Sequence, residues 1–125
     1  MSTLSVATIK SHNTLPPAVQ NSSGTEIGTF CRAWVNFNGT GTVAIRASFN
    51  VSSITDNGTG TFAINFTTSM PDTSYAGVGT AVNSSSYLTC ITSGANHQAA
   101  SYPIRVTTDG GSLVDPNFCD YAFFR

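Results

Sequence analysis

From Phe30 onward apolar and polar residues alternate. In CRAWVNFN, Cys31, Ala33, Val35 and Phe37 share one face while Arg32, Trp34 and Asn36 share the other, the period of two expected of a half-buried strand. A second run places Val43, Ile45, Ala47, Phe49 and Val51 inward and Ala44, Arg46, Ser48 and Asn50 outward, with Asn38-Gly39-Thr40-Gly41 as the reversal between the two. After Asp56-Asn57-Gly58 a third run sets Phe62, Ile64 and Phe66 against Ala63, Asn65 and Thr67, which predicts a three-stranded meander.

Met70-Pro71-Asp72 interrupts the pairing, and a glycine-containing strand is predicted from Tyr75 to Val82. Further strands are predicted at Tyr87 to Thr92, Tyr102 to Thr107 and Phe118 to Phe124, with Pro103 marking the middle one as an edge strand. No stretch carries a helical period. Short strands separated by turn residues predict an all-β, antiparallel β-sandwich over residues 30–125. Residues 1–29 lack either period and contain Pro16-Pro17 and a Ser-Ser-Gly cluster, the pattern of an extended lead-in or attachment segment.

Composition narrows the function. Charged residues make up 9% of the 125 residues and the net charge is −1, against about 25% charged in an average domain. Such a surface is neutral and rich in hydroxyls and amides, and it offers no basic stripe for nucleic acid. The start MSTLSVATIK has no long apolar centre, so neither a signal peptide nor membrane insertion is expected. Asn21, Asn38, Asn50, Asn57, Asn65 and Asn83 match the N-glycosylation triplet, which a chain rich in Asn, Ser and Thr generates by chance.

Candidate chemistry is sparse. His12 and His97 supply the imidazoles, and neither sits in a motif that fixes a nucleophile beside it. Glu26, Asp56, Asp72, Asp109, Asp115 and Asp120 show no acid–base spacing, and Asp56-Asn57-Gly58 reads as a turn rather than a calcium loop. No enzymatic activity, cofactor or metal is expected; copies of His97 around a symmetry axis are the one metal arrangement left open. Cys31, Cys90 and Cys119 cannot all pair within one chain; buried thiols are the plain reading, with a Cys90–Cys119 bridge as the alternative.

Arg32, Trp34 and Arg46 stand out because they occupy the face a core would leave to water, with Arg105 expected on a similar surface. Trp34 has three readings: part of the subunit's own core, part of a subunit interface, where Trp and Arg are enriched, or a sugar-stacking platform. The connections Asn83 to Tyr87, Ser93 to Ser101 and Asp109 to Asn117 are the candidate recognition loops, with Tyr87, Asn96, His97, Gln98 and Asp115 as receptor-contact candidates.

The string from Cys31 to Ala76, CRAWVNFNGTGTVAIRASFNVSSITDNGTGTFAINFTTSMPDTSYA, resembles modules of bacteriophage tail fibres and related virion proteins. That resemblance implies a β-rich homotrimer on a virion, assembled in the bacterial host cytoplasm, with distal loops turned to a host-surface glycan. Arg32, Trp34 and Arg46 would then face neighbouring subunits. The lead-in would join other virion proteins, and its shortness makes a head-decoration or cement role the alternative.

Overall fold

The computed structural model describes residues 3–11, 17–84, 87–92 and 97–125. The chain divides into two compact units, Met1–Phe30 and Cys31–Arg125. In the first, β1 (Val19–Gln20) and β2 (Glu26–Gly28) form an exposed two-stranded ribbon. Its turn is held by Asn21, whose Oδ1 accepts from the N–H groups of Ser23 and Thr25, and Gly24 supplies the left-handed φ of 79°.

The second unit carries β3 (Cys31–Asn38), β4 (Ala44–Phe49), β5 (Val51–Asp56), β6 (Thr61–Phe66), β7 (Ala76–Val82), β8 (Tyr87–Thr92), β9 (Ser101–Thr108) and β10 (Phe118–Phe124). They form one antiparallel ladder in the order β4-β3-β10-β7-β8-β9-β6-β5. The ladder folds over at the β7–β8 seam, where among the described residues the register pairs Ala81↔Leu88 and Val82↔Tyr87. Its two halves then face each other as a sandwich-like all-β body. Within it β7, β8, β9 and β10 take the spatial order 10-7-8-9 of a Greek key.

The core lies between the halves. Phe37 of β3 meets Phe62 of β6 edge to face at 5.4 Å, and Phe123 of β10 meets Phe66 and Tyr102 at 5.0 Å each. Ala33, Val35 and Phe37, with Phe62, Ile64 and Phe66, are buried as their alternation predicts. Pro116 is also fully buried, and its carbonyl accepts the Gly39 N–H at 2.8 Å.

Three expectations change. The run from Val43 to Val51 is two strands: Asn50, at φ 55°, turns a corner between β4 and β5. Its side chain fixes that corner by donating to the carbonyls of Arg32 and Thr68 and accepting from the Thr68 N–H. The meander is therefore two hairpins, β3–β4 and β5–β6, at opposite ends of the ladder. Within β4 the register steps from Asn36↔Ala47 to Phe37↔Ile45. Arg46 is thus the extra residue of a β-bulge, and beyond it Ala47 and Phe49 point outward instead of inward.

Pro103 occupies an interior strand, since β9 lies between β8 and β6. Even-numbered residues of β9 direct their backbone polar groups to the β6 side, as the bond from Val106 N–H to the Gly60 carbonyl shows. Pro103 therefore turns its nitrogen toward the β8 side, next to the Thr92–Ile104 pair.

Candidate functional site: the outer face of one sheet

The two outer faces of the sandwich differ in chemistry. On the β8-β9-β6-β5 side, Asn65 donates through Nδ2 to Ser53 Oγ at 3.0 Å and Thr55 Oγ1 at 2.8 Å, and Arg105 is exposed on β9. Arg105 therefore lies on the opposite sheet from Trp34, not on a shared surface. Among the described residues hydroxyl and amide groups dominate this side, as composition leads one to expect.

The β4-β3-β10-β7 side is apolar in two rows. Register aligns Phe49, Trp34, Ala122 and Val78 across four neighbouring strands. Phe49 is 56% exposed, Trp34 41% and Val78 57%. At the other edge of the face Phe118 and Val82 are cross-strand partners and are also exposed. Between the rows run Ala47, Asn36, Asp120 and Thr80, with Asn36 donating through Nδ2 to the Asp120 carboxylate. A shallow groove of about 360 Å³ crosses β3, β10 and β7; Trp34 and Val78 line it, with Asn36, Thr80, Asp120 and Ala122.

The bulge places Arg46 on this face but away from Trp34, whose cross-strand partner is Phe49. The guanidinium of Arg46 lies 4.0 Å from the Phe118 ring centroid and donates to the Asn117 carbonyl at 2.7 Å, a cation–π contact that covers part of an exposed aromatic. Arg32 is half-buried at the start of β3. The predicted trio therefore shares a sheet without forming one cluster. Phe49, Val78 and Phe118, which complete the face, were not singled out by the sequence. Their alignment depends on a bulge and on pairings between β3, β10 and β7 that local patterns do not encode.

The receptor-contact candidates are split between the two ends of the body. Strand directions place the 39–43 and 57–60 turns and the 109–117 connection at one end. Segments 67–75 and 97–100 lie at the other, with Cys31 and Arg125. Asp115 is at the first end, where its Oδ1 accepts the Gly60 N–H at 2.7 Å and straps the connection to the β5–β6 turn. His97 and Gln98 are at the second. His97 is half-buried and stacks on Tyr75 at 5.2 Å and near Tyr102 at 4.8 Å, while the Tyr75 hydroxyl donates to the carbonyls of Gln98 and Ser101. Asn96 and the side chain of Tyr87 lie outside the described residues.

Among the described residues no group of three or more His, Cys, Asp or Glu is placed to hold a metal ion. Cys90 and Cys119 are neighbours, with Tyr121 beside them. The side-chain interaction with Cys119 holds Cys90 below the ordinary thiol range, whereas the same interaction and then burial push Cys119 up. Burial likewise raises Tyr121.

Set against known families, curated proteins and solved structures, the chain matches none. Any functional reading therefore rests on the residues themselves.

Proposed function

We propose that this chain is a self-associating appendage module of a bacteriophage particle, a homotrimer that contributes to host-surface attachment and carries no enzymatic activity. One observation carries the reading: Phe49, Trp34, Val78 and Phe118 are exposed on one sheet face, while among the described residues the opposite face carries mainly hydroxyl and amide groups. An exposed apolar patch on an otherwise polar domain marks an interaction site. A hydroxyl-rich chain has ample polar side chains for these apolar positions and does not use them there.

Copies of the chain are the partners this face suits. Its apolar rows offer aromatic anchors, and Arg46 supplies the kind of residue that interfaces favour. The resemblance of Cys31 to Ala76 to phage fibre modules supports the trimer and the virion setting. Within the β body, the end bearing Asp115 and the 39–43 and 57–60 turns, remote from Cys31, is the one assigned to a host glycan.

Sedimentation of the purified chain tests the proposal. A species of about three times 13.1 kDa is expected; a monomer that persists at high concentration overturns it. For the attachment role, binding to a glycan array is expected, and binding to capsids with no saccharide recognised would assign the module to decoration instead.

A further inference from the structure

Cys90 and Cys119 come from strands that are not neighbours. Cys90 sits on β8, opposite Val106 of β9, and Cys119 on β10, opposite Ala81 of β7. The fold at the β7–β8 seam turns both toward the interior, Cys119 fully buried and Cys90 half-buried against the same core, where the two thiols are neighbours. Cys31 stands apart, at the far end of β3, with its thiol donating to the Ala33 carbonyl at 3.1 Å.

We infer that Cys90 and Cys119 are a modification site: an oxidisable dithiol that closes to an intramolecular disulfide by exchange with a small-molecule disulfide, tying β8 to β10. The two thiols have unequal roles. Cys90 is the more exposed and ionises first, so its thiolate attacks the external disulfide, forms a mixed disulfide and expels one thiolate. The Cys119 sulfur then attacks Cys90 Sγ and displaces the second thiolate, and the proton of the Cys119 thiol passes to a released thiolate. Overall, two protein thiols and one external disulfide give one protein disulfide and two external thiols.

The bond would act where the ladder is weakest. β8 is held to β7 by the two pairs at Ala81↔Leu88 and Val82↔Tyr87, while β10 is paired along its length with both β3 and β7. A bridge from β8 to β10 spans β7 and fastens the seam between the two halves of the sandwich. A protein made in a reducing compartment and used in an oxidising one would acquire the lock on leaving the cell. This inference does not depend on the oligomeric reading.

The test is incubation of the intact chain with oxidised glutathione, followed by alkylation, intact-mass measurement and peptide mapping. The expected product has lost two hydrogens, links the Cys90 and Cys119 peptides, leaves Cys31 alkylated, and melts about 10 °C higher until reductant is added. Cys31→Ser should behave identically. Cys90→Ser should abolish both the mass change and the rise in midpoint while folding normally, and Cys119→Ala should do the same. Three alkylated thiols after oxidation, a bridge involving Cys31, or covalent dimers as the main product would overturn the inference.

Discussion

Replacing Val78 with aspartate separates the assembling face from the subunit's own stability. Val78 is 57% exposed, aligned with Ala122 and one row from Asp120. Full burial of a valine is worth about 1.5–3 kcal/mol, so an interface covering the exposed part gains roughly 1 kcal/mol per copy. Val78→Asp removes that gain and leaves an unpaired carboxylate in the contact, a further ~3 kcal/mol. Together these weaken association by about 10³-fold. In the isolated subunit the same carboxylate stays in water, and the cost is the loss of strand preference, about 1 kcal/mol or roughly 4 °C in midpoint. Sedimentation velocity over a concentration series, with thermal unfolding of the same samples, reads both quantities. Val78→Thr, of the same shape, should weaken assembly about tenfold with little change in midpoint, and Arg105→Glu on the opposite face should leave assembly unchanged. If Val78→Asp assembles as tightly as the parent chain, the β4-β3-β10-β7 face is not the contact and the reasoning fails.

Gly60→Ala should cost about 3 kcal/mol in chemical denaturation: Gly60 has φ +64°, and a Cβ there would sit 2.5 Å from the Val106 carbonyl oxygen and 2.7 Å from the Val114 nitrogen. Burial, with Tyr102 nearby, pushes Tyr75 up to about 12. An acid held neutral in this way contributes stability that is complete below its unfolded value near 10 and is lost as pH rises toward 12. Tyr75→Phe should therefore flatten part of the alkaline loss of midpoint, with Tyr121 keeping the remainder, and should cost about 1–2 kcal/mol at neutral pH through its two lost hydrogen bonds. Asp72 is held below the usual carboxylate range by hydrogen bonds from Arg125 and then from the Ser74 N–H. Its contribution is present above about pH 4 and is lost as pH falls through the depressed value, so Asp72→Asn should remove that part of the acid dependence in midpoint-against-pH measurements.

The alternation of β3, β6 and β10 is readable from the chain because one face of each meets a core, and a period of two survives any choice of neighbours. Where the outcome depends on a neighbour, the pattern misleads. Ala47 and Phe49 continue the inward series of Ile45 on paper, yet the single extra residue at Arg46 reverses them. Asn50 looks like an outward strand residue and is a left-handed corner. Pro103 suggests an edge because proline lacks a donor, yet β9 lies between β8 and β6, with the proline nitrogen on the β8 side. Trp34 was conspicuous as a lone tryptophan on a polar-looking face; Val78 and Phe118 gain meaning only once β10 is known to lie between β3 and β7.

The bulge in β4 extends the candidate interface by one strand. Had β4 kept its register with β3, Phe49 would point inward opposite Ala33, and the outer row would end at Trp34. Inserting Arg46 moves Phe49 to the outside, extends the apolar row to four strands, and sends the guanidinium across β3 to lie over Phe118. Each shift costs the lone subunit apolar burial, and a core already filled by Phe37, Phe62, Phe66 and Phe123 gains nothing in return. A bulge is a local device for re-aiming side chains. Here it aims an aromatic away from the subunit's interior, which is favourable only where something outside covers it. The face opposite, built from the same hydroxyl- and amide-rich composition, has no comparable feature among the described residues. The register of a single hairpin thus widens an asymmetry that Trp34, Val78, Val82 and Phe118 already set on this face.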